Sequence, residues 1–265
     1  MIKQLMINPT RTDPTSALRR AAWGNAGAYI VGSVLYLLVA FNAVGTVPKY
    51  ADGSSDAIAA ANFHLYFSFV HDTYGINFAS SLAFVFGAMM LVPLGVGLRH
   101  LYGSNGYWQT LMAFVFAAGA VLFTTELLMS IGRIHFIAST DWSKASPASI
   151  IGAGMTSNML TAVEGWIGVG FYIAVGFAML HAAGLVMAGD KLPHRLGQLG
   201  MVVAVLYLAL AVVSIVDPLS FLFQYIVLVG GAILAPAWAI WLGYAAGRLA
   251  PDAGPGGVVR PAPVA

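Results

Sequence analysis

The chain has 265 residues, of which 59% are hydrophobic and only 8% charged, with a mean hydropathy of +0.82. A water-soluble domain of that composition would lack the polar surface to cover its own core, so soluble enzymes and nucleic-acid binders are excluded despite a formal net charge of +2. The absence of cysteine removes disulfides, thiolate catalysis and Cys-ligated metal sites.

In chain order, a basic amino-terminal arm (residues 1–26) carries Asp13-Pro14, a cap and first-turn pair from which a helix can start and run on into the membrane. The first apolar run, 27–47, exceeds the h-region of a cleavable signal and reads as a retained span. A long connection, 48–75, follows. Within it, Ala57 to Val70 places Asn62, His64, Phe67 and His71 at helical intervals and predicts an interfacial helix or an extension of the second span, 76–98. A short turn from Arg99 to Gly106 leads to the third span, 107–131. The second long connection, 132–159, reads as less regular from Ile134 to Ile151, with turns at Trp142 and Ser146-Pro147. The fourth span, 160–184, is joined to the fifth, 197–216, by a turn from Lys191 to Arg195 in which Pro193 suits a helix start. The sixth is 220–247, and a Pro/Gly-rich tail from Pro251 reads as disordered within a carboxyl-terminal segment 248–265. Each run meets the roughly twenty residues that cross ~30 Å of hydrocarbon at ~1.5 Å per residue. The expected fold is therefore an all-α polytopic bundle, a single domain over 27–247. Pro93 and Pro236 should bend or open spans two and six, and Gly243/Gly247 and Gly165, Gly168 and Gly170 permit close helix packing, within the chain or in a dimer.

Basic residues set the orientation. With the amino terminus inside, nine (Lys3, Arg11, Arg19, Arg20, Arg99, Lys191, Arg195, Arg248, Arg260) lie on the inner side against three (Lys49, Arg133, Lys144) outside. The positive-inside rule then places both termini in the cytoplasm, in a bacterial inner membrane.

Chemistry must come from ionisable groups, because a charge in hydrocarbon costs about 2.5–3.5 kcal/mol and persists only with partners or a role. Glu126 on span three, Glu164 on span four and Asp217 at the end of span five fall on the outer side, near His64, His71, Asp72, Arg133 and His135 of the long connections. Spacing favours pairing across helices, Arg133 with Glu164 or Asp72 and Glu126 with a histidine. One outcome is a network that pins the connections to the bundle. Another is a ligand or proton site lined by Glu126, Arg133, Glu164, Asp72 and Asp217. A third is a zinc, iron or manganese site drawing on His64, His71, His135, Glu126 and Glu164, although no HExxH, ExxH or HxH spacing occurs. The lack of a Gly-rich phosphate loop argues against ATP-driven transport within this chain, and the lack of a lysine inside any span against a retinal Schiff base. His181 is a haem ligand only if a second histidine reaches its depth, and the sequence offers none.

The run from His181 through Gly189 to Lys191-Leu192-Pro193-His194-Arg195-Leu196-Gly197, followed by a fresh apolar span, resembles the Leu-Pro-x-x-Leu-Gly junction of a group of bacterial six-helix membrane proteins that form a domain-of-unknown-function family. The Leu98-Arg99-His100 end of span two resembles the same layout. That resemblance implies a six-helix fold and an inner-membrane location and carries over no catalytic residue. The leading expectation is a protein that binds, transports or assists a small or lipophilic ligand through an outward-facing polar cavity. Its alternatives are an intramembrane His/carboxylate metalloenzyme acting on a hydrophobic substrate, and a structural subunit of a larger complex. The expected partners are the lipid bilayer, the ligand, and other membrane proteins or further copies of the chain, with no nucleic acid. A metal is the one cofactor the sequence leaves open.

Overall fold

The computed structural model describes residues 14–41, 43–103, 105–217 and 220–249. Asp13, Lys3, Arg11, Arg260 and the tail from Pro251 lie outside the described residues. The fold is all-α: α1 (Pro14–Ala40), α2 (Asp56–Tyr102), α3 (Tyr107–Ser139), a 3-10 turn (Trp142–Lys144), α4 (Pro147–Ala188), α5 (His194–Val216), and a sixth rod of α6 (Phe221–Ile226), a π-helical stretch (Val227–Leu234) and α7 (Ala235–Ala246). Six of these rods are long and apolar enough to cross a membrane, consistent with a bundle embedded in a lipid bilayer.

Helix ends follow local chemistry. Ser55, Ser146 and Ser220 each cap a helix, their hydroxyls accepting from Ile58, Ser149 and Phe223 N–H, and Pro147 opens α4 where a missing donor costs nothing. Gly103, at φ 107°, ends α2 in a conformation that side chains rarely adopt. The π stretch directly precedes Pro236, whose lack of an N–H and ring bulk disfavour the regular i→i−4 pattern there. Pro93, by contrast, sits inside an unbroken α2.

The helices pack as a ring in chain order, with α7 closing onto α1. Close approach comes from glycines facing large side chains. A Cβ on Gly97 would stand 2.9 Å from Leu18 Cβ, one on Gly119 2.8 Å from Val175, and one on Gly243 2.9 Å from the Trp23 indole. The Gly243/Gly247 pair thus faces α1 of the same chain, on Trp23 and Arg19. Two side chain to backbone bonds also tie α1 to α2, from Asn25 Nδ2 to Gly87 O (2.8 Å) and from Ser80 Oγ to Gly32 O (2.9 Å).

Past the six-helix body only α2, α3 and α4 continue. At 47 residues α2 is about 70 Å long, twice what a bilayer requires. The stretch 57–70 is therefore an extension of the second span rather than a separate helix. Residues 134–151, expected to be irregular, are mostly helical: α3 runs to Ser139 and α4 begins at Pro147. Trp142 and Ser146-Pro147 do turn the chain, but the turn is only a few residues long. The extension has its own core of Phe67, Val70, Ile134, Ile137 and Ile150, with Phe63, Tyr66 and Trp142 packed on it. Trp142 Nε1 donates to Ile137 O (2.7 Å), and the connection 41–55 is held to α2 by a reciprocal pair between Asn62 and the Ala51 backbone, both bonds 2.9 Å.

Candidate functional site

The α3–α4 seam carries the charged groups. On α3, Phe123, Glu126, Ser130 and Arg133 recur at spacings of three and four and so share one face. On α4 the buried positions Ser157, Glu164, Gly168 and Phe171 form the opposing stripe. Because the helices are antiparallel, Arg133 meets Glu164 and Glu126 meets Gly168.

Arg133 and Glu164 form a bidentate pair, Nε to Oε1 at 3.1 Å and Nη2 to Oε2 at 3.0 Å, with both side chains about nine-tenths buried. Nη1 donates to the Tyr66 hydroxyl on α2 (2.8 Å) and Nη2 also reaches Ser130 Oγ (3.4 Å). All three guanidinium nitrogens donate. The pair therefore acts as a clasp across α2, α3 and α4 at the base of the extension, and of the two partners expected for Arg133 the fold selects Glu164, not Asp72.

Glu126 departs from expectation. No histidine reaches it; its Oε2 is buried without a hydrogen-bond partner among the described residues. Gly168 makes room for it, since a Cβ there would lie 3.0 Å from Oε2. Glu164 lies one helical turn before this seat on α4, on the same buried stripe. Along α3 it stands between the body core, which ends near Phe123, and the extension core, which starts at Ile134.

The remaining expected residues do not join this pair. His64, His71, Asp72, His135 and Asp217 are all exposed. The His71 ring Nδ1 lies 2.9 Å from Ala138 O, and His135 Nδ1 lies 3.0 Å from the Tyr74 hydroxyl, so both histidines tie α2 to the end of α3. Asp217 terminates α5, its carbonyl accepting from Ser220. Among the described residues no three His, Asp or Glu side chains stand close enough to hold a metal ion, so His64, His71, His135, Glu126 and Glu164 do not form one ligand set. The helix phase of the extension turns the histidines outward while Glu126 and Glu164 face the seam. His181 stacks on Trp108 (centroids 5.4 Å apart) in a shallow groove of about 330 Å³, its Nδ1 2.8 Å from Phe177 O. A packing role accounts for it.

Below Glu126 lies a group that the sequence alone does not single out. Tyr29 (α1), Phe84 (α2), Phe123 (α3), Phe171 and Tyr172 (α4) and Tyr207 (α5) form a continuous aromatic array, joined through Phe123 stacked on Phe171 at 4.2 Å and extended by Phe223 of α6 at 6.5 Å from Tyr172. All six rods contribute a ring. The signal was present in Phe123 and Glu126 being three apart, but assembling the rest needed the helix register.

A scan of protein-family models and searches of curated proteins and of solved structures find no match to this chain.

Proposed function

We propose that the chain is a multi-pass protein of a bacterial cytoplasmic membrane that binds, and moves or presents, a small or lipophilic ligand at the Glu126 carboxyl. Arg19, Arg20, Arg99, Lys191, Arg195 and Arg248 gather at the end with the short α2–α3 and α4–α5 turns, which supports placing that end inside and the three-helix extension outside. One observation carries the site: a buried carboxyl oxygen without a donor among the described residues, beside a clasp in which each guanidinium nitrogen is already engaged. Leaving a buried acceptor unsatisfied costs about 1–3 kcal/mol, more for a charged one, and such groups persist in native proteins where a role retains them. A bound molecule carrying a donor or a positive charge would complete Glu126, whose Oε2 finds no donor among the described residues.

The test is a thermal-shift panel in mild detergent with lipophilic cations, neutral amphiphiles and lipophilic anions, run on the parent protein and on Glu126→Gln. At least one class should raise the melting temperature of the parent and leave the variant unmoved. If no class shifts the parent, or the variant responds equally, Glu126 is not a ligand site.

The exposed stripe Met155, Met159, Val163 and Trp166 on the outer half of α4, with Met159 72% exposed, favours a second reading as a subunit of a membrane complex. Cross-linking from Met159→Cys in native membranes, followed by mass measurement of the product, tests it: a heteromeric adduct supports a subunit, and monomer alone opposes it.

A further inference from the structure

We infer that the ligand is a lipophilic organic cation, held between the Glu126 carboxyl and the faces of the aromatic array; this rests on the function proposed above. Two observations converge. Glu126 supplies an acceptor oxygen that finds no donor among the described residues. Phe123 lies three residues before it on the same face of α3, and Phe171 and Tyr172 lie three and four residues beyond its seat at Gly168, so these residues stand about one helical turn, ~5 Å along the helix axis, from Glu126 or from its seat. Carboxyl and ring faces share one preference. Each is the negative end of its field, the carboxylate by charge and the ring by its quadrupole, so a cation is attracted to both where an anion is repelled by both.

The surroundings restrict the class further. The arginine on the same face of α3 is excluded as a natural partner, because Arg133 is committed to Glu164 and Tyr66. An inorganic cation would need several oxygen ligands, and Glu126 stands among rings rather than in a group of carboxylates or imidazoles. A compact hydrated ammonium gains little from such walls, whereas an aromatic or alkyl-substituted cation buries apolar surface against them as well.

The experiment is equilibrium binding of tetraphenylphosphonium to the full-length protein in detergent, followed with a cation-selective electrode. The parent should bind with saturation. Glu126→Gln, close to isosteric, should weaken binding at least tenfold, and Tyr172→Leu by about 2- to 30-fold, the range that a cation–π contact of about 0.5–2 kcal/mol converts to. Tyr172→Phe keeps the ring face and should bind as the parent does. A site using the phenol as a hydrogen-bond partner would instead lose affinity in Tyr172→Phe, which overturns the cation–π assignment. Should Glu126→Gln fail to fold, the Leu/Phe contrast at Tyr172 decides alone. If tetraphenylphosphonium does not bind while a neutral amphiphile shifts the parent in a Glu126-dependent way, the cation inference fails and the ligand site stands; if neither acts, both fail.

Discussion

The six-helix body and the three-helix extension are built from the same α2, α3 and α4 yet are held together differently. In the body, helices meet through glycines on large apolar side chains, as at Gly97/Leu18 and Gly119/Val175. In the extension, a small aromatic and aliphatic core around Phe67 and Ile137 is joined by the Arg133–Glu164–Tyr66 clasp and by His71 and His135 bonded to α3 or α2. Lipid tails give no hydrophobic drive for helices to associate, so the body relies on close contact and dispersion. Three helices projecting beyond it regain that drive but have little area to bury, and directional polar contacts supply specificity. Glu126 sits where the two regimes meet and belongs to neither set of contacts.

Breaking the clasp should have the largest effect. Arg133→Ala leaves Glu164 buried and uncompensated, a loss of about 3–5 kcal/mol, and hydrogen exchange should accelerate in the extension while the body stays protected. Replacing both partners, Arg133→Leu with Glu164→Leu, should recover most of that stability in the melting temperature, because the cost lies in the orphaned charge. In the body the sensitive positions are glycines. Gly97→Val places new atoms against the Leu18 backbone as well as its side chain, and should cost about 1–3 kcal/mol in thermal or denaturant unfolding. The opposite sign is expected at Gly152, in the exposed part of α4 with no atom within 4 Å of a built Cβ: Gly152→Ala should stabilise by about 0.5–1 kcal/mol through the backbone alone. The smallest effect concerns pH. Lys144 and then Ser143 hold the Asp141 carboxyl below its usual range, so its contribution to the turn is present above the unfolded-state value and fades as pH falls through the lowered one. Amide exchange at 141–145 should quicken slightly on acidification, and Lys144→Met should weaken the dependence, leaving the part that Ser143 supplies.

The spans were legible because twenty apolar residues have one inexpensive solution, and the helical spacing of Asn62, His64, Phe67 and His71 marked a helix there while leaving an interfacial helix and an extension of span two both open. Residues 134–151 were not legible: Trp142 and Ser146-Pro147 are real turn signals, but three residues of 3-10 turn suffice for the reversal, and nothing local says how soon helix resumes on either side. The Arg133–Glu164 pair was one of two options open to a buried arginine. Glu126 was expected to find a histidine because both types occur on the same side of the membrane. Its solitude depends on helix phase, which turns His64, His71 and His135 to the exterior, and on register, which sets Gly168 opposite it. Both are properties of the packed bundle. The aromatic array was hidden for the same reason, its rings being spread over 195 residues, from Tyr29 to Phe223.

The most direct test compares Glu126→Gln with Glu164→Gln, reading the melting temperature and tetraphenylphosphonium binding on the same preparations. Glu126→Gln should melt with the parent or above it and lose binding, while Glu164→Gln should melt earlier and, where folded, still bind. If Glu126→Gln unfolds the protein while Glu164→Gln abolishes binding at unchanged stability, the assignment of clasp and site is reversed.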